Sequence, residues 1–414
     1  MNKVANFALA AAVAVGLGYT VSALAEDAAP PKGQVSAAAG KDLKAAQAAL
    51  TEKKYDEALA DLDKVKANPK KNDYDEYVMN ELAVNAYAGV KPPRYPEAEA
   101  ALEATMTSKF MPPDELKKRV VTTAILNNQL QNYDKAIQFG TRAIKDGYGT
   151  PQVQLVVAQA YYQKKDYKGS EKFIRSMVDD QIKAGQTPTE EVLRMGYDSS
   201  NKQDDEAGQT RWLELLVTYH PMPDYWSNLM DTLYHGKLND KQLLQVYRLS
   251  ADVGVLKRGT DYAEMAQLAL ATGSPGEAVS VLNKGFAANA FTDQAEKNRN
   301  THLLDSAKKQ AATDEPTLAK TEADATNAPS GDKLVGVGIG YFGYGDYAKA
   351  SKDIAAGLAK GTTTADATDA RLLLAIAQLK GGDKDAAVKT FRSVKGDPVL
   401  ERLADMWTLH AKAG

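Results

Sequence analysis

The chain has 414 residues, no cysteine, four histidines and a formal net charge of −3. Its length exceeds one compact helical domain and points to several domains or a repeat array. The lack of cysteine excludes disulfides, thiolate metal sites, thiol nucleophiles and a lipid anchor on Cys. The near-neutral charge gives no electrostatic reason to expect nucleic acid or an anionic membrane as the main ligand. His220, His235, His302 and His410 are too scattered in sequence to propose a metal cage, and no cofactor is expected.

Residues 1–25, MNKVANFALAAAVAVGLGYTVSALA, begin with a short positive region. A largely apolar stretch from Phe7 to Val21 follows, and Ala23-Leu24-Ala25 forms an A-x-A site before Glu26. That order predicts a signal peptide cleaved after Ala25 and a periplasmic mature protein. An uncleaved anchor is the alternative, because Val4 to Ala25 carries no charge and is long enough to cross a bilayer. Gly16, Gly18, Thr20 and Ser22 make it a poor one. Residues 26–40 are small, Pro-containing and aperiodic, and read as a flexible spacer.

From residue 41 one unit recurs: an apolar-periodic helix, a short turn and a second amphipathic helix. The turns read KKYDEAL at 53–59, QNYDKAI at 131–137, KKDYKGS at 164–170, GYGDYAKA at 343–350 and GGDKDAAV at 381–388. A small residue in the first helix is matched by another 12 positions later: Ala46/Ala58, Ala124/Ala136, Ala158/Ser170, Gly196/Gly208, Ala266/Ala278, Gly338/Ala350 and Ala375/Ala387. Small side chains at both places let antiparallel helices approach closely. Four residues beyond the second member stands a large side chain, such as Leu62, Ile174, Trp212, Leu282, Ile354 or Phe391. Helix periodicity puts it on the same face, at the seam to the next hairpin.

This pattern resembles the tetratricopeptide repeat, whose period is about 34 residues. The clearest units are 156–177, with Ala158, Tyr161, Tyr167, Ser170 and Ile174, and 337–358, with Gly338, Tyr341, Tyr347, Ala350 and Ile354. The resemblance implies an all-α solenoid of about nine hairpins. The gaps 208–278 and 278–350 are nearly double length, and each is expected to hold one divergent hairpin. Gly140 and Gly208 depart from the family by standing where larger or better helix-forming residues are expected.

The segment 311–331, rich in Thr, Asp and Pro, reads as an irregular linker or hinge. It divides an amino-terminal array (41–310) from a carboxy-terminal pair (332–414), which ends in a capping helix from Pro398 with Trp407 in its core.

Carried over from the family, the groove positions lie one and four residues after the small first-helix residue. Asn128, Gln159, Tyr162, Tyr197 and Gln267 are the protein-binding candidates, with amide and phenol groups suited to extended peptide. The apolar positions, Ile339, Phe342, Ile376 and Leu379 among them, read as packing. The expected partners are proteins or peptides of the cell envelope, and membrane contact runs only through them.

Catalytic motifs are weak. Gly338-Ile-Gly340-Tyr-Phe-Gly343 matches GxGxxG, yet it falls inside a repeat helix and lacks the strand–turn–helix frame of a dinucleotide site. His220 and His235 read as helix-terminal or surface residues. Asp179/Asp180, Glu190/Glu191 and Asp204/Asp205 read as solvated carboxylates. The rival to a binding scaffold is a helical-superhelix enzyme that acts on peptidoglycan or polysaccharide through a carboxylate pair.

Overall fold

The computed structural model describes residues 30–235, 237–362 and 364–413, with the side chains of 234, 235 and 364–366 left aside. The leader at 1–25 lies outside the described residues, as does the His235 side chain. Among the described residues the secondary structure is helical throughout, with no strand. None of those helices is long and apolar enough to cross a membrane.

Two compact units divide at 179/180. The first holds α1 (Gly40–Thr51), α2 (Tyr55–Ala67), α3 (Asp73–Gly89), α4 (Tyr95–Met106), α5 (Pro113–Gln129), α6 (Tyr133–Lys145), α7 (Pro151–Gln163) and most of α8 (Tyr167–Lys183). The second opens with α9 (Glu190–Asn201), α10 (Glu206–Tyr219), α11 (Pro223–Asp231) and α12 (Asp240–Asp252). It continues with α13 (Gly259–Ala271), α14 (Pro275–Ala287), α15 (Gln294–Asp314), α16 (Leu318–Thr326), α17 (Asp332–Gly343) and α18 (Tyr347–Lys360). It ends with α19 (Thr364–Lys380), α20 (Lys384–Phe391) and α21 (Pro398–Ala413). Several helices open with proline at their first position, among them Pro113, Pro151, Pro223 and Pro275. A missing N–H costs nothing there, and the fixed φ already suits a helix.

The 12-residue pairs sit where the two helices of a hairpin touch. Ala46, Ala58, Ala124, Ala136, Ala158, Ser170, Ala266, Ala278, Ala350, Ala375 and Ala387 are all fully buried. Ser170 Oγ donates to the Ala158 carbonyl at 3.3 Å, a bond made across the pair itself. A Cβ on Gly338 would lie 2.5 Å from Ile354 Cγ1, so its partner helix leaves no room for a side chain. That contact also accounts for the GxGxxG stretch, which is simply α17. Gly140 is required in the same way, since its Cβ would meet Val157 Cγ2 at 2.3 Å. The seam residues Leu62, Ile174, Trp212, Leu282, Ile354 and Phe391 are buried as expected.

Six of the hairpin turns share one backbone device. Lys53, Gln131, Lys165, Gly273, Gly345 and Gly382 all adopt positive φ, between 59° and 90°. Each stands five residues before the second small residue of its pair. The next N–H reaches back to a carbonyl in the last turn: Lys54 to Ala49 at 2.8 Å, Asn132 to Asn127 at 2.8 Å, Asp346 to Tyr341 at 3.0 Å. This is the left-handed helix stop in which a reversed residue lets orphan carbonyls be satisfied. Asp166, Asp205, Asp346 and Asp383 then cap the second helix by accepting from Gly169, Gly208, Lys349 and Ala386. The Gly-Asp and Lys-Asp turns therefore encode both a stop and a start.

Both long gaps hold helices: α11 with α12, and the long α15 with the short α16. The segment 311–331 comprises the end of α15, a 3-10 turn at Glu315–Thr317 and α16, and it lies within the second unit. Residues before α1 are tied to the first unit. Ser36 N–H donates to Asp75 at 2.8 Å and Asn72 Nδ2 to the Gln34 carbonyl at 3.2 Å. At the other end α21 packs on α20 and α19 and also on α10 and α12, with Trp407 fully buried. The carboxy terminus thus returns to the beginning of its own unit.

Candidate functional site

In the first unit the candidates Asn128, Gln159 and Tyr162 are half-buried on first helices of their hairpins, α5 and α7. Asn128 Oδ1 is buried with no donor reaching it among the described residues. The Tyr162 ring meets Tyr167 edge-on at 5.2 Å, so the phenol is braced by the turn that follows it. Tyr197 and Gln267 belong to the second unit, on α9 and α13. Tyr197 is half-buried beside an open recess of about 720 Å³ with Glu206, Arg211 and Arg402, whereas Gln267 is exposed. Of the apolar groove positions Phe342 and Ile376 are core.

Sequence reasoning missed a buried polar ladder beside Asn128. Arg119 on α5 donates to Thr105 on α4 at 3.1 Å and to Glu81 on α3 at 2.5 Å. Two turns further along α5 the fully buried Asn127 donates to Glu99 at 3.1 Å, and Lys135 joins Glu99 and Glu103 at 2.9 and 3.0 Å. Burial works against the Glu99 carboxylate, but hydrogen bonds from Lys135, Glu103 and Asn127 hold it below the usual range. Burial and the Glu99 charge push Glu103 up. Desolvation offsets much of the attraction in buried charge pairs of this kind, so they add little net stability. The only sequence signal was the i, i+4 spacing of Thr123 and Asn127, which does not separate a buried amide from an exposed one.

The second unit carries a larger interior network. Arg248 on α12 and Glu277 on α14 form a two-point ion pair at 2.7 and 2.8 Å, with side chains only 5% and 8% exposed. Burial disfavours the guanidinium charge, yet Glu277 outweighs it and holds the proton more tightly than usual. The same guanidinium lies 5.2 Å from the Phe342 ring centre. Gln245 donates to Asp369 at 2.9 Å, and Gln242 to Asp397 at 2.8 Å. Asp252 accepts from His410 at 3.0 Å and from Lys380. Burial opposes its charge, but those two partners bring its pKa down to about 2. Because Lys241, Gln245, Arg248 and Asp252 fall on one face of α12, that helix presents a polar stripe towards α14, α19 and α21.

The acidic pairs and His220 have local partners. Glu190 accepts from the Tyr225 hydroxyl at 2.5 Å, Asp205 caps α10, and His220 Nε2 lies 2.8 Å from the Pro188 carbonyl. Among the described residues no three His, Cys, Asp or Glu side chains are grouped to hold a metal ion.

Residues 338–399, from α17 into α21, match the model of the tetratricopeptide repeat family. Residues 338–399 therefore carry the tetratricopeptide pattern, and the hairpins of Ala46/Ala58, Ala124/Ala136, Ala158/Ser170 and Ala266/Ala278 share that segment's pair spacing and turn geometry. No curated protein matches the chain. Among solved structures, the TPR2AB domain of yeast Sti1, in complex with pHSP90, aligns at 11% identity and a TM-score of 0.24, over 72% of this chain and 98% of that one. Yeast Tom70 aligns at 10% identity and a TM-score of 0.23, over 90% and 95%. A Naa15/Naa10 complex bound to HypK-THB aligns at 14% identity and a TM-score of 0.24, over 90% and 72%.

Proposed function

We propose that the chain is a non-catalytic protein-binding scaffold that acts in the bacterial periplasm and organises a cell-envelope complex. Outer-membrane transport, polysaccharide export and cell-wall assembly are the processes such a scaffold fits. The observation that carries the binding role is the row of half-buried amide and phenol groups on α5 and α7. Asn128 and Gln159 are half-buried, and Tyr162 is braced by Tyr167. Extended peptide backbone satisfies such groups, and an aromatic ring adds contact area at small entropic cost. Repeat hairpins supply the rigid frame that keeps them in register.

The compartment rests on residues 1–25 alone, whose basic, apolar and A-x-A order is that of an export signal. Mass measurement of the amino-terminal peptide from cells tests it, with Glu26 expected as first residue. For binding, the triple variant Asn128→Ala/Gln159→Ala/Tyr162→Ala is compared with the parent after crosslinking in cells. Loss of partner crosslinks with an unchanged melting midpoint supports the reading. Retention of every crosslink contradicts it.

A further inference from the structure

We propose that α16 is a pH-sensitive flap, clasped onto α17 and α18 by the side chains of Asp353 and Glu322 and loosened when that pair loses its shared proton. The flap is lightly anchored. From residue 308 to residue 330 only Leu318 and Ala325 are buried, and α16 itself has 9 residues. Isolated helices shorter than about 12 residues are marginal in water, so contacts with its neighbours decide whether α16 stays in place. Leu318 sits against the bare backbone of α17, where a Cβ at Gly340 would meet its Cδ2 at 2.8 Å. The 3-10 turn Glu315–Thr317 sets α16 off from α15, and residues 327–331 set it off from α17. Gly331 N–H donates to the Gly361 carbonyl at 3.0 Å, which ties the start of α17 independently of α16.

The polar contacts of α16 centre on one residue. Glu322 accepts from the Tyr341 hydroxyl on α17 at 3.0 Å and from Lys352 on α18 at 2.9 Å. Lys360 reaches the Ala328 carbonyl at 3.1 Å and also that of Thr326. Asp353, only 2% exposed, lies within hydrogen-bonding reach of Glu322. Two ionised carboxylates cannot bond each other, since each only accepts. A proton on Asp353 turns the contact into a donor–acceptor bond from α18 to α16, and its loss leaves two like charges side by side. Ionisation is not compensated at Asp353 Oδ2, which is buried with no donor among the described residues.

The groups around this carboxyl set the pH range. Glu322 on α16 opposes its charge, Lys352 and Lys349 on its own helix favour it, and α17 brings the Tyr341 phenol. From α19, which also packs on α18, Asp369 and Lys380 bond Gln245 and Asp252, and Arg371 is a further cation. Burial first and Glu322 second raise the Asp353 pKa to about 6. An acid whose pKa lies above its ordinary 3.8 holds the flap while protonated, and that hold is lost as pH rises through the raised value. If lifting the flap restores the ordinary value, closure weakens about tenfold between about pH 5 and about pH 7.5.

Amide hydrogen exchange of the full chain at those two pH values, with intrinsic rates divided out, compares residues 319–326 of α16 with 334–342 of α17. Protection of α16 is expected to fall about tenfold with little dependence on low urea, because lifting one short helix exposes little surface. The α17 amides should exchange at least about tenfold more slowly and follow the urea dependence of global unfolding. Asp353→Asn, whose amide donates to Glu322 at every pH, should keep α16 protected with no fall. Glu322→Gln, which removes the like charge, should cut the fall to about threefold. Circular dichroism checks that each variant folds, and if Asp353→Asn does not, Glu322→Gln carries the test. Protection of α16 that ignores pH, a full tenfold fall retained in the folded variants, or α16 and α17 exchanging together with one urea dependence would each overturn the flap.

Discussion

His410 Nε2 lies 3.0 Å from Asp252 Oδ2, joining α21 to a helix that ends 158 residues earlier. Lys380 binds the same carboxylate from α19, and the Trp226 and Trp407 rings flank the imidazole at 5.9 and 5.8 Å. One carboxylate therefore gathers two helices onto α12. Its pKa is held at about 2 against an ordinary 3.8. A carboxylate with depressed pKa contributes stability above its ordinary value and loses it as pH falls through the folded one. Asp252→Asn is expected to cost the second unit roughly 2 kcal/mol at pH 7. The gap should narrow as pH falls from about 4 to about 2. Tryptophan fluorescence during denaturation reads this unit selectively, because Trp212, Trp226 and Trp407 all lie in it. A gap independent of pH would contradict the assignment.

Asp353 on α18 gives the opposite sign. It is 2% exposed and its Oδ2 has no donor among the described residues. Burial, and then the Glu322 charge, raise its pKa to about 6. An acid with raised pKa favours the native state while protonated, and that contribution disappears as pH rises through about 6. Asp353→Asn should stabilise the protein by roughly 2 kcal/mol at about pH 7.5 and leave it unchanged near pH 4. Denaturant midpoints at the two pH values measure the difference.

Two glycines of one helix separate packing from propensity. Gly338→Ala puts a Cβ 2.5 Å from Ile354 and 3.1 Å from the Ala350 carbonyl, and is expected to destabilise by about 1–3 kcal/mol. Gly336→Ala meets nothing and should stabilise by about 0.5–1 kcal/mol. Thermal midpoints of the two variants must move in opposite directions.

The hairpin turns make a third comparison. Lys53, Gln131 and Lys165 occupy a left-handed conformation that glycine takes at Gly273, Gly345 and Gly382. Side chains there are strained by roughly 1 kcal/mol. Each of Lys53→Gly, Gln131→Gly and Lys165→Gly should raise stability by about 0.5–1 kcal/mol, and Gly345→Ala should lower it by a similar amount. Circular dichroism melts check both directions.

What the sequence made legible was local. Small residues 12 apart and Gly-Asp or Lys-Asp turns are encoded within one hairpin, so Ala158/Ser170 and Gly338/Ala350 could be paired from spacing alone. The return of α21 onto α10 and α12 left no such trace. Its bonds, Gln242 to Asp397 and His410 to Asp252, span 155 and 158 residues and follow no period. The groove residues were placed by family position, which finds Tyr162 but not the buried Asn127 beside Asn128. Adjacent amides on a helix look alike in sequence and differ by which neighbour covers them. Gly336 was invisible for the same reason: spacing cannot tell a glycine pressed by a helix from one that faces open space.

Site-specific photocrosslinking in cells tests the binding face most directly. A photoreactive residue at Gln159 or Tyr162 is compared with one at Lys172, an exposed position on α8. A discrete protein adduct at 159 and 162, absent at 172, is the predicted result. Adducts of equal yield at all three positions, or none at 159 and 162, would contradict a partner held on these first helices.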